Sequence, residues 1–204
     1  MPAPLREVRR DLRVSVVSSL PWASIDCVIL DMDGTLLDHG LDANMQFVPV
    51  PRAYLTDFMQ FVFDHFERVS IWTAASLSWY ERCYEDILRH HVPEGKSFHF
   101  VMTREDYDAD RYVKPLRLVY EQYPDEYNPD NTLIVDDNHL TYAENLDNAV
   151  PVQSFVYHEL PRFIREDLNN YDYELLDIID VLNQRLGNEP TLWSFRIPLD
   201  LTLD

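Results

Sequence analysis

The sequence is poor in cysteine. Only Cys27 and Cys83 occur among 204 residues. Neither stands at a spacing that holds zinc or forms a redox pair, so a reduced intracellular setting is expected. Basic residues are scarce as well: 17 Lys and Arg face 36 Asp and Glu, for a net charge of -19. Such a surface repels nucleic-acid backbones and anionic membranes. The one basic cluster, "REVRRDLR" at 6–13, is interrupted by two acids and reads as a solvated segment. No apolar run approaches the length of a membrane span, and no signal-peptide core is expected at the N-terminus. Repeats, low-complexity tracts and linkers are missing too. What is there is 46% hydrophobic and 13% aromatic content, over a length that suits one domain with a sizeable core.

The informative stretch is "CVILDMDGTLLD" at 27–38. An apolar strand runs into Asp31 and Asp33, which share a face because strand side chains alternate. Two like charges about 4 Å apart repel by about 4 kcal/mol at an effective dielectric of 20, so a cation is expected beside them. The intervals further along predict alternating helices and strands. A helix is expected from Ala53 to about Phe66, a strand at "RVSIW" (68–72), and a helix from Ser76 to Leu88. Then come a strand at "FHFVM" (98–102), a charged loop at "TREDYDADRYV" (103–113) and a short helix after Pro115. "TLIVDD" (132–137) and "AVPVQSF" (149–155) read as strands, and "YELLDIIDVLNQRL" (173–186) as a helix. "HGLDANMQFVPVPR" (39–52) is a loop or short hairpin, "VSVVSSLPW" (14–22) a strand or docked arm, and "LWSFRIPLDL" (192–201) an extended tail.

Alternation of this kind implies a parallel sheet with helices on both faces. In such sheets the ligand site lies beyond the carboxyl ends of the strands. Asp31, Asp33, Thr73, Asp136 and Asp137 should therefore converge. Acids crowded at one point suit a hard, oxygen-binding cation, and Mg2+ takes one or two carboxylates together with a phosphate oxygen. In that setting Asp31 can attack phosphorus, and Asp33 can protonate the leaving oxygen and later deprotonate water. Gly34 permits a tight turn that brings backbone N–H groups near phosphoryl oxygens. Thr73 and Thr35 can bond those oxygens, and Lys114 can neutralise the transferring group.

"DMDGTLL", "SIWTAAS", "VKPL" and "LIVDD" resemble, in order and spacing, the four motifs of haloacid dehalogenase (HAD)-like phosphatases. "RVSIWTAASLSWYERCYEDIL", "LIVDDNHLTYAENLDNAVPVQSF" with its "DNAVPV", and "YDYELLDIIDVL" resemble the FCP/SCP-like branch in particular. That branch comprises the phosphatases of the RNA polymerase II C-terminal domain and their NLI-interacting-factor-like relatives. The resemblance implies an α/β protein: a Rossmannoid three-layer α/β/α sandwich with a central, mostly parallel sheet. It implies one domain over 1–204, with a core at about 26–185, an N-terminal arm at 1–25 and a tail at 187–204.

By the same resemblance Asp31 is the nucleophile and a Mg2+ ligand, and Asp33 is the general acid and base with its backbone carbonyl on the metal. Thr73 and Lys114 bind the phosphoryl group. Asp137 is a metal ligand, and Asp136 orients Lys114 or serves as a second metal acid. The implied activity is Mg2+-dependent phosphomonoester hydrolysis through an aspartyl-phosphate, on phosphoserine or phosphothreonine of a protein substrate. A nucleotide or polynucleotide phosphatase is the alternative within the fold, and a non-catalytic binding scaffold the alternative outside it.

Two departures stand out. Gly34 occupies a position where this branch usually has glutamate, and the segment 39–50 is short where the polymerase-tail enzymes carry a β insert. Residues 74–113 leave no room for more than a minimal cap, so the site is open, which suits a macromolecular phosphate. Cytoplasmic residence is expected, with nuclear residence typical of the branch. Ser76 competes with Thr73 as a helix N-cap, His139 reads as surface, Trp72 as core, and the place of Trp79 is left open.

Overall fold

The run Cys27–Leu30 is apolar at every position rather than alternating, the pattern of a strand covered on both faces. In the computed structural model, which describes residues 25–107 and 113–187, it is the fully buried central strand β1. The chain then forms an antiparallel hairpin of β2 (Leu37–Leu41) and β3 (Phe47–Pro51), helix α1 (Leu55–His65) and strand β4 (Arg68–Trp72). Helix α2 (Leu77–Asp86), strand β5 (Val101–Met102), helix α3 (Arg117–Gln122) and strand β6 (Thr132–Asp136) follow. Helix α4 (His139–Glu144), strand β7 (Ala149–Pro151), the single turn α5 (Arg162–Arg165) and helix α6 (Glu174–Arg185) complete the order. The main sheet runs β5-β4-β1-β6-β7, all parallel.

Strand alternation sorts the core into two layers. Val28 and Leu30, with Val69, Ile71, Leu133 and Val135, face α1 and α6. Cys27 and Ile29, with Trp72 and Ile134, face Leu116, Val119 and Tyr127. Helix α1 buries Leu55, Phe58, Met59, Phe61, Val62 and Phe63, and it packs against α6. The result is the expected α/β/α sandwich. Among the described residues no helix is long and apolar enough to cross a membrane.

Two strands are shorter than their sequences suggest, and both lie at sheet edges. Only Val101 and Met102 of 98–102 are strand, although His99 N–H still donates to Val69 O at 2.8 Å. Strand β7 stops at Pro151, on the open edge of the sheet where its missing N–H is tolerated, and the Val152 N–H still donates to Asp136 O at 3.0 Å. The segment 39–52 is a hairpin, closed by Asp42, whose Oδ1 accepts from the N–H groups of Asn44 (2.8 Å) and Gln46 (2.9 Å). Its prolines sit on a two-stranded edge, where they are tolerated. The basic cluster at 6–13, the segments 14–22 and 192–201, and residues 108–112 of the charged loop lie outside the described residues.

Candidate active site

Strands β4, β1 and β6 are neighbours, and their carboxyl ends deliver the predicted residues to one place. Asp31 and Asp33 leave β1, Thr73 follows β4, Asp136 ends β6, and Asp137 comes next. Together with Ala74, Ala75, Trp79, Lys114 and Asn138 they line a cleft of about 390 Å³. Lys114 arrives from the loop before α3. Asn145 holds it there, donating from Nδ2 to the Lys114 carbonyl (2.8 Å) and accepting at Oδ1 from Leu116 N–H (3.0 Å).

The buried Lys114 ammonium donates to Asp31 Oδ1 and to Asp136 Oδ2, the latter at 2.7 Å. Burial alone would lower its pKa; Asp31 and Asp136 more than offset this and hold the ammonium charged. The second oxygen of Asp136 accepts from Asn138 N–H at 2.7 Å, so both oxygens of that carboxylate have partners. Burial and the charge of Asp31 push the Asp137 carboxyl upward, against the lowering effect of a Ser154 hydrogen bond.

Asp33 lies apart from this group. Its Oδ1 accepts from the Trp79 indole N–H at 2.7 Å, and its Oδ2 from the Thr73 hydroxyl at 3.3 Å. Burial pushes its carboxyl up to about 6, with the neighbouring Asp31 charge adding to the rise and the Trp79 bond opposing it. The Thr73 hydroxyl in turn accepts from Ala75 N–H at 3.0 Å. Ser76, rather than Thr73, is the N-cap of α2.

Gly34 and Thr35 sit in the turn behind Asp31 and do not line the cleft, unlike the expectation that they face a phosphate. The Thr35 hydroxyl donates to Asp31 Oδ2 at 2.9 Å, and Gly34 N–H is spent on Leu37 O at 2.8 Å. Gly34 has φ +79°, and a Cβ there would stand 2.5 Å from Asp137 Oδ2. Glycine is thus what lets the turn approach Asp137 so closely. His139 is exposed and outside the lining.

Carboxylate oxygens of Asp31, Asp136 and Asp137 lie within 4.8 Å of one another. Three hard oxygen donors in that space, with one lysine to balance the acids, fit Mg2+. The Asp33 carboxylate is not of this group.

Three contributors were hidden in the sequence. Trp79 stands 46 residues from Asp33, its hydrogen-bond partner, and its one local signal is a place in the first turn after a serine cap. Asn145 gave none. Arg52, buried just past β3, donates from Nη1 to Gln153 O (2.8 Å) and Thr35 O (3.3 Å) and from Nε to Asp172 Oδ2 (2.9 Å). It ties the turn behind Asp31 to the chain after β7.

A parallel sheet with acids at the ends of adjacent central strands, and a lysine between them, defines the HAD-like phosphatase fold. Fcp1, an essential RNA polymerase II CTD phosphatase, superposes with a TM-score of 0.52 over 91% of this chain and 58% of its own, at 14% identity. The 3-deoxy-D-manno-octulosonate 8-phosphate phosphatase of Moraxella catarrhalis gives 0.50 over 87% and 93%, at 8% identity. At these identities the likeness establishes the fold. The model of the NLI interacting factor-like phosphatase family matches residues 26–191, and the chain belongs to that family. Among relatives, the ubiquitin-like domain-containing CTD phosphatase of Arabidopsis thaliana is 27% identical over 164 residues, covering 76% of this chain and 46% of its own length. The putative CTD phosphatase-like protein 355R of Invertebrate iridescent virus 6 is 28% identical over 143 residues, covering 67% and 74%. The chain spans about half the length of most of the curated relatives it matches.

Proposed function

We infer that the protein is a Mg2+-dependent phosphomonoester hydrolase that works through an aspartyl-phosphate on Asp31, with phosphoserine or phosphothreonine of a protein as substrate. The observation that carries this reading is the Lys114 bridge between Asp31 and Asp136, with Asp33 held separately beside the same cleft. Thr35 and Lys114 orient the two oxygens of Asp31, one each. An Asp31 oxygen attacks phosphorus, the bond from phosphorus to the leaving oxygen breaks, and Asp33 gives that oxygen its proton. Asp33 then takes a proton from water, which attacks the acyl phosphate; inorganic phosphate leaves and the Asp31 carboxylate is restored.

Lys114 and the Thr73 hydroxyl would face the phosphoryl oxygens throughout. Asp31, Asp137 and the Asp33 carbonyl would hold Mg2+, leaving Asp136 to Lys114. When bound, the ion neutralises charge on the phosphoryl oxygens. Gly34 and Thr35 serve by shaping the turn that presents Asp31.

Among the described residues the chain between Thr73 and Lys114 contributes α2, two short helical turns and β5, and no cap domain. An open cleft supports a phosphate carried on a macromolecule. A net charge of -19 argues against nucleic acid and against an anionic membrane. The reading takes the chain as one domain with its core at 26–185, acting in the cytoplasm.

The test compares phosphopeptides, nucleoside monophosphates and 3′-phosphorylated oligonucleotides as substrates for the native protein and Asp31→Asn. Phosphopeptide turnover abolished by the substitution is expected. Preference for either nucleotide class would move the substrate to that class, and no turnover of any would leave a binding scaffold.

A further inference from the structure

Trp79 takes no part in the chemistry outlined above, yet its indole N–H makes the shortest hydrogen bond to Asp33, 2.7 Å to Oδ1. We propose that Trp79 is a positioning residue for proton transfer: it fixes Asp33 by one oxygen, so that the other carries the proton delivered to the leaving group. This rests on the reading of Asp33 as general acid and base.

The chemistry of the donor makes the assignment directional. An indole N–H donates and never accepts, so Oδ1 is always an acceptor toward Trp79 and the acid proton belongs on Oδ2. Among the described residues that second oxygen is held by the 3.3 Å contact from the Thr73 hydroxyl alone, a long bond by the standards of O–H donors. Asp33 therefore has one firmly held oxygen and one loosely held oxygen. A carboxyl group that must lose and regain a proton at a single defined position needs that asymmetry.

Trp79 is itself held from two sides. Its backbone N–H lies in the capped first turn of α2, 3.3 Å from the Ser76 hydroxyl and 3.1 Å from the Ser76 carbonyl. Its ring, partly buried against the core, also lines a notch of about 210 Å³ with His39 and Phe47 of the hairpin. The core and the capped turn thus locate the ring, and the ring locates Asp33.

The balance of the step supplies the test. As the Asp31–phosphorus bond forms and the serine Oγ–phosphorus bond breaks, the Asp33 proton moves to Oγ. A serine alkoxide needs that proton, whereas p-nitrophenolate leaves well without it. Native protein, Trp79→Phe and Asp33→Asn are compared by kcat/KM, which reads phosphoryl transfer to Asp31, on a phosphoserine peptide and on p-nitrophenyl phosphate. For Trp79→Phe we expect a fall of about 30-fold on the peptide and about 3-fold on the aryl ester, with KM little changed, as for a partial loss of general acid catalysis.

An equal fall on both substrates, or no fall on either, would overturn the role of Trp79. If Asp33→Asn shows no such split, the assignment of Asp33 as proton donor fails first, and that of Trp79 with it. Should Trp79→Phe unfold, benzothienylalanine at the position replaces only the N–H by sulfur while keeping the shape, and the same split is expected of it.

Discussion

Replacing Arg52 by methionine keeps most of the aliphatic stem and removes every bond of the guanidinium. Arg52 is 5% exposed. Its Nε pairs with Asp172 Oδ2 at 2.9 Å, where the two side chains are 3% and 12% exposed. Breaking a buried ion pair by removing one partner costs about 3–5 kcal/mol, because the other charge stays buried. The bond to Gln153 O at 2.8 Å adds about 1 kcal/mol, and water reaching Asp172 gives part of that back. The expected loss is about 4 kcal/mol, a fall of about 10 °C in Tm for a chain of this size. Urea unfolding followed by tryptophan fluorescence measures it. In a double-mutant cycle with Asp172→Ala, the two losses should fall short of additivity by about 1–3 kcal/mol. A loss under about 1 kcal/mol with additive effects would mean that Arg52 does not tie the turn behind Asp31 to the chain after β7.

Gly34→Ala places a Cβ 2.5 Å from Asp137 Oδ2 in a backbone at φ +79°; a stability loss of about 1–3 kcal/mol and an about 10-fold rise in the Mg2+ concentration for half-maximal turnover are expected, and unchanged values would show that the turn has slack. Cys27 and Cys83 are fully buried and burial pushes both thiols up to about 12, so a disulfide reagent at pH 8 should label neither until guanidinium unfolds the chain. From an ordinary thiol value of 9.0 upward, the unfolded chain loses those protons while the native chain keeps them. Their contribution to stability is therefore complete below pH 9 and declines as pH rises toward 12, which alkaline urea titrations would detect.

The sheet was legible because buried parallel strands carry their own pattern. "RVSIW" is β4 to the residue, and the apolar runs before Asp31 and within 132–136 are β1 and β6. The site followed from topology: once the strands are parallel and adjacent, residues at their carboxyl ends have one place to go. Edge strands were overextended, since pairing on one side alone limits β5 and β7 in a way that hydrophobicity does not record. What stayed hidden were partners set by long-range packing. Nothing local to Trp79 points to a carboxylate 46 residues away, or local to Arg52 to one 120 residues away. Thr35 reads as a phosphate ligand from its motif, and only the folded turn shows its hydroxyl on Asp31.

The covalent role proposed for Asp31 is the central step, and Thr35 and Lys114 orient the two oxygens of that carboxylate. Crystals soaked with Mg2+ and beryllium fluoride, a mimic of the phosphoryl group, test it. Tetrahedral fluoride density joined to an Asp31 oxygen is expected, with the ion beside Asp137. Density joined to any other side chain, or a bare Asp31 carboxylate at saturating reagent, would contradict it.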